Sequence, residues 1–177
     1  GQTFLIVRLQ TATSEYGQSP TIDRASAQWC AGGLEIGKRF PPRTLLRAVD
    51  ACPLQFKQKL LADGRWRLVV FDRLSPPSGL SDASGQFLDW LGDSPDSPLQ
   101  KHTPEGTDID SVIELLAVLP RDFRGIEFTD LPPLLQPCKG KLALRDYGKV
   151  FCPPSNPVAW YATLGIDPDL GCLAVES

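Results

Sequence analysis

What this sequence has little of narrows it first. It contains one histidine, His102, and no methionine. A single histidine and no CxxC pair leave no ligand set for a zinc site, so no metal is expected. The five cysteines are Cys30, Cys52, Cys138, Cys152 and Cys172. Their odd number and unpaired spacing argue against a disulfide framework. They read as reduced, mostly buried thiols of a cytoplasmic protein. No GxGxxG follows a strand-like run and no GxxxxGK[ST] is present, so neither a dinucleotide nor a nucleoside triphosphate finds a glycine cradle. No apolar run approaches the ~18 residues that a membrane span requires. Residues 2–9 are too short and too polar for the apolar core of a signal peptide. With a net charge of −3, a pI of about 5.1 and no basic patch, nucleic acid is not an expected partner.

What is present is an ordinary globular composition, 42% hydrophobic and 22% charged over 177 residues, enough for one domain with a core. The chain is organised around Asp63-Gly64-Arg65-Trp66-Arg67-Leu68-Val69-Val70-Phe71-Asp72. Asp-Gly is a turn dipeptide. The apolar run behind it reads as a strand buried on both faces at the centre of a sheet. Residues 4–12 read as a short helix and 13–20 as a loop, within a lead-in or linker segment over 1–40. The domain proper is expected over 41–177. There, 44–49 reads as a strand, and Pro53 opens a helix that carries Leu54, Phe56, Leu60 and Leu61. Ser81 or Asp82 caps a helix with Phe87, Leu88 and Leu91 on one face. Residues 92–106 read as a polar loop. Residues 109–119 fit either a helix or a buried strand. Short strands are expected at 126–128 and 149–151, a helical turn at 130–133, a helix over 157–164 with Asn156 as cap and Gly165 as stop, and a last strand over 171–175. Alternating strands and helices make an α/β sandwich on a central mixed sheet flanked by helices.

Candidates for chemistry are few. His102 sits in the polar stretch and acts only if the fold brings it a partner. The loop after a central α/β strand is where ligands bind, which singles out Asp72 and Arg73 as its companions. Ser81 in Gly79-Leu80-Ser81-Asp82-Ala83 falls short of a nucleophile elbow and is better explained as a helix cap. The carboxylates of Asp93, Asp96, Glu105, Asp108 and Asp110 show no face-to-face spacing for acid–base work. Trp29, Trp66, Trp90, Trp160 and Tyr161 read as core or interface anchors.

Several segments together resemble the C-terminal domain of the phenol 2-monooxygenase family of FAD-dependent aromatic hydroxylases. They are Ile36-Gly37-Lys38-Arg39-Phe40-Pro41-Pro42, Ala51-Cys52-Pro53-Leu54, the stretch from Asp63 to Phe71, Glu127-Phe128-Thr129-Asp130-Leu131-Pro132, Tyr161 with Gly165-Ile166-Asp167-Pro168, and Gly171-Cys172-Leu173-Ala174-Val175. Tyr16-Gly17 with Ser19-Pro20 resembles the segment that joins the substrate domain to this one. The resemblance implies a thioredoxin-like fold and a structural, dimerising role. It implies a homodimer, or contacts with upstream FAD and substrate domains. The family's flavin and substrate residues lie in those preceding domains, so no cofactor site is carried over to this chain. Two departures stand out. Asp72-Arg73-Leu74-Ser75-Pro76 holds no cysteine where a redox thioredoxin has its CxxC. The family also continues past the last strand with a further hairpin, whereas this sequence ends at Glu176-Ser177 and begins at Gly1 instead of Met. The reading is a trimmed fragment, or a standalone descendant whose last strand is left as an open edge and which acts on a phenolic small molecule through His102, Asp72 and Arg73.

Overall fold

A computed structural model describes residues 6–9, 29, 31–35, 40–74 and 79–176. The resemblance segments at 16–20 and 36–39, the loop at 75–78 and Cys30 lie outside the described residues. Strand β4 (Trp66–Phe71) starts after the Asp63-Gly64 turn, where Gly64 takes φ +80 and the Asp63 carboxylate accepts from the Arg65 N–H at 3.1 Å. It lies inside a seven-stranded sheet of order β1-β9-β4-β5-β8-β2-β3. The other strands are β1 (Ile6–Leu9), β2 (Thr44–Arg47), β3 (Cys52–Gln55), β5 (Ile113–Val118), β8 (Val150–Cys152) and β9 (Cys172–Glu176). A separate hairpin joins β6 (Cys138–Lys139) to β7 (Leu144–Arg145). Strand β4 runs parallel to β5 and antiparallel to β9, so the sheet is mixed.

Alternation along β4 and β5 feeds two cores. Val69 and Phe71, with Leu116 and Val118, face the short helix α3 (Pro157–Ala162). This side is aromatic: Phe71 packs against Phe40, Trp160 and Tyr161, and Phe56 meets Phe151 edge-on at 5.3 Å. Leu68 and Val70, with Leu115 and Ala117, face α1 (Asp82–Asp93) and α2 (Pro98–His102). Helices thus cover both faces of a central mixed sheet, the α/β sandwich the alternation implied. Strand β5 is buried at every position, which settles 109–119 as a strand. Pairing with β4 on one side and β8 on the other decides for the strand over Ile113–Val118. Among the described residues no helix is long and apolar enough to cross a membrane.

Four elements differ from the sequence expectation. The helix expected over 4–12 is instead strand β1, paired in parallel with β9. That pairing also corrects the open edge expected of the last strand, because β9 is held between β1 and β4. Ala31, Leu34 and Phe40, from the expected lead-in, are buried in the aromatic core. Pro53 opens no helix. It lies on edge strand β3, opposite Leu46 and two residues beyond a hairpin turn in which the Asp50 carboxylate accepts from the Cys52 N–H. Only a 3-10 turn follows, at Phe56–Gln58. Inside the stretch expected to be loop, Ser97 caps α2, with Pro98 at its first turn. The strand expected at 126–128 is replaced by 3-10 turns at Phe123–Gly125 and Phe128–Asp130.

The N-terminal end of the β4–β5 pair carries buried charge. Arg67 and Glu114 face each other in register, each only 2% exposed, with Nε and Oε2 3.1 Å apart. Lys149, just before β8, reaches Glu114 Oε1 at 2.5 Å and Asp110 Oδ2 at 2.6 Å. Arg67 also bonds Asp63 at 2.8 Å, and Lys139 bridges Asp110 and Asp146 at 2.6 and 2.8 Å. Burial opposes ionisation of Asp110, Glu114 and Asp146. The lysines outweigh it and hold all three carboxyls below their usual range, Asp146 at about 2.

These depressed values fix a sign. The network's contribution is complete above the unfolded carboxylate range of about 4 and is lost as pH falls through the folded values. The urea midpoint is therefore expected to fall from about pH 4 towards pH 2. Glu114→Gln, which removes the carboxylate shared by Arg67 and Lys149 and leaves a net positive charge buried, is expected to cost about 3–5 kcal/mol in urea unfolding at neutral pH. Asp96→Asn, in the exposed Lys101 pair, should stay within about 0.5 kcal/mol.

Candidate functional site

Asp72 follows β4 directly and is fully buried. Its Oδ1 accepts from the hydroxyls of Ser81 at 2.5 Å and Ser84 at 2.7 Å, and its Oδ2 accepts from the Ser81 N–H at 3.1 Å. The Arg121 guanidinium stands 4.0 Å from the same carboxylate. Ser81 is the N-cap of α1, so the carboxylate ties the end of the central strand to the positive end of the longest helix. The Tyr161 hydroxyl donates to the Asp72 carbonyl at 2.7 Å and lies 3.1 Å from that of Val118. Burial, and then the nearby Asp72, push its phenol well above 10. Gly171 closes the strand end from the other side. Its φ is +71, and a Cβ there would stand 2.6 Å from the Phe71 carbonyl oxygen. Arg73 follows Asp72 and is half-buried.

His102 ends α2 and is exposed. With Trp66, Val112 and Ile113 it lines an apolar crevice of about 460 Å³ at the opposite, N-terminal end of β4. Trp66 and Asp72 are separated by the length of the strand, about 20 Å at ~3.3 Å per residue. The fold therefore brings Asp72 and Arg73 together by sequence but does not bring His102 to them. The Asp72 oxygens are occupied by Ser81 and Ser84, and they hold the helix in place.

A second groove, of about 500 Å³, opens beside the N-terminal half of α1. Its lining includes Leu80, Asp82, Asp89, Asp130, Leu131 and Pro132. Of the cysteines, Cys52 and Cys138 are exposed, and Cys152 and Cys172 are buried. Burial pushes the Cys152 thiol up to about 12. Among the described residues no group of His, Cys, Asp and Glu could hold a metal ion.

The family described as "Phenol hydroxylase, C-terminal dimerisation domain" matches residues 14–176. The chain belongs to that family. The match covers every strand of the sheet except β1, both helical layers and the β6–β7 hairpin, and so fits the resemblance carried by the central strand. Over 168 residues, 92% of this chain, it is 39% identical to a 3-hydroxybenzoate 4-monooxygenase of Comamonas testosteroni and covers 26% of that protein. It is 30% identical over 168 residues to the FAD-dependent monooxygenase terD of Aspergillus terreus, again 92% of this chain and 27% of the relative. The chain thus spans about a quarter of the length of these relatives.

Two residues important to this dimerisation domain escaped sequence reading. Ser84 completes the cradle for Asp72, and its signal was the Ser81-x-x-Ser84 spacing at a helix start. Lys149 read as the first residue of a strand, and nothing local marks it as a buried cation.

Brief alkylation at pH 8 followed by mass spectrometry is expected to label Cys52 and Cys138. Cys152 and Cys172 should react only after unfolding, because the thiolate is the reactive species and burial suppresses it. Modification of native Cys152 at the rate of Cys52 would contradict this placement.

Proposed function

We propose that this chain is the dimerisation module of an FAD-dependent aromatic hydroxylase and that it carries no flavin site of its own. The family match over nearly the whole chain carries this reading. The activities for which the relatives are named support the wider assignment to a flavin hydroxylase. The geometry agrees with a structural role. In open α/β sheets ligands settle at the C-terminal ends of central strands. Here Asp72, Ser81, Ser84, Tyr161 and Gly171 fill that end with mutual contacts. A thioredoxin-like origin belongs to the same reading, supported by a parallel central pair with helices on both faces.

A second reading rests on one observation, the apolar crevice between Trp66 and His102. Its size and aromatic wall suit a phenolic ring. His102 would then bind the hydroxyl without help from Asp72 or Arg73.

Sedimentation equilibrium of the 177-residue chain separates the two. The module is expected to sediment as a dimer, to show no flavin absorbance after gel filtration, and to leave phenol unchanged. A flavin band retained through gel filtration would sink the claim that the flavin site lies elsewhere. A monomer that quenches its tryptophan fluorescence on titration with a phenol, with the effect abolished by His102→Ala, would replace the first reading with the second.

A further inference from the structure

The β6–β7 hairpin is an apolar projection on a firm base. The Asp108 carboxylate accepts from the Gly140 N–H at 3.0 Å, Lys139 is clamped between Asp110 and Asp146, and Arg145 donates to the Gln136 side chain at 3.3 Å. The Pro137 carbonyl accepts from the Asp146 N–H at 2.9 Å and closes the loop. At the tip, Ala143 has φ 48, a left-handed conformation that favours glycine. The tip shows its apolar side chains to solvent, with Leu142 80% and Leu144 66% exposed. Two cations, Lys141 and Arg145, flank them and are also exposed. A hairpin held this firmly need lose little further freedom when it docks.

The groove beside α1 has the complementary character. Leu80, Leu131 and Pro132 supply an apolar lining, and the exposed carboxylates of Asp82, Asp89 and Asp130 surround it. Among the described residues no basic side chain forms a salt bridge with these three. The Ser81 wall of the groove and the Asp110 anchor of the hairpin lie at opposite ends of the sheet, and Gln136 links the two sites, donating to the Leu131 carbonyl at 3.0 Å and accepting from Arg145. The groove is beside Ser81, at the C-terminal end of β4, and the hairpin is tied to Asp108 and Asp110, ahead of β5. Both connect to the α1–α2 side, the groove through Leu131 and the hairpin through Tyr147, which packs edge-on to Phe128 at 5.4 Å.

We infer that the hairpin of one copy docks in the acidic groove of a second copy, Leu142 and Leu144 meeting Leu80 and Leu131, and Lys141 and Arg145 meeting Asp89 and Asp130. A two-fold axis between two copies lets each hairpin enter the other's groove. The contact is then made twice and closes on itself about a two-fold axis. This inference rests on the dimerisation reading and deepens it by naming the surface. The opposite charges steer the encounter and fix its register, so salt weakens association.

The test is sedimentation equilibrium of the full 177-residue chain and its variants, each checked for an unchanged circular dichroism spectrum and urea midpoint. Leu142→Asp combined with Leu144→Asp is expected to give a folded monomer. Lys141→Glu and Asp89→Lys are each expected to raise the dissociation constant about tenfold, and the combined charge swap to bring it back to within about threefold of wild type. A wild-type dimer that the leucine variant leaves intact, or a swap that fails to restore affinity, overturns the hairpin–groove contact and leaves the dimerisation reading standing. A monomeric wild-type chain overturns both, and would leave the hairpin to a preceding domain of a longer protein.

Discussion

A cation and an anion opposite one another on the two central strands constrain everything built around them. Arg67 and Glu114 are registered partners on β4 and β5, and both are buried. Slipping β5 by one residue would turn Glu114 to the other face and leave Arg67 without its partner in a low-dielectric interior. The parallel pairing of these strands is therefore specified by charge as well as by apolar alternation. Lys149 extends the constraint to β8, and Asp63 extends it to the turn that launches β4. Asp72 does the corresponding work at the far end, where it anchors α1 by hydrogen bonds. The central strand is fixed at both ends by polar contacts and along its length by two apolar cores.

The same two anchors bear on function. Asp72 is a carboxylate that the sequence singled out for chemistry, and the fold commits both it and Glu114 to holding secondary structure. Asp72 is saturated by serine hydroxyls and a backbone N–H, while His102 stands at the other end of the strand. Among the described residues the β6–β7 hairpin and the two grooves remain open. This member of a dimerisation family thus has a polar-anchored interior and its open surfaces at the periphery.

Much of this was legible in the residues. The run from Trp66 to Phe71 marked the central strand, Ser81 and Asn156 marked the helix starts, and Cys172 to Val175 marked the final strand. The failures have physical causes. Local apolar spacing around Pro53 imitates a helix, but the Asp50 turn and the pairing with Leu46 override it. Residues 6–9 belong to the sheet only because β9, more than 160 residues away, lies next to them, and no local pattern encodes that. The buried charge network joins Asp63, Arg67, Asp110, Glu114 and Lys149 across three separate segments, so it exists only after folding. Of the candidate site residues, only the position of Asp72 and Arg73 at the end of the central strand followed from sequence. The distance of His102 from them depended on α2 forming where a loop was expected.

Pro53 has a consequence for how copies of this domain stack. In the β2–β3 hairpin the Phe56 N–H bonds the Arg43 carbonyl, so the alternation places Pro53, opposite Leu46, at a non-bonded position with its ring nitrogen turned outward. A strand arriving from another molecule would meet a missing donor in the middle of a four-residue edge. That edge thus resists endless sheet extension into fibres. A member of a family described by dimerisation thus has a border that discourages open-ended association.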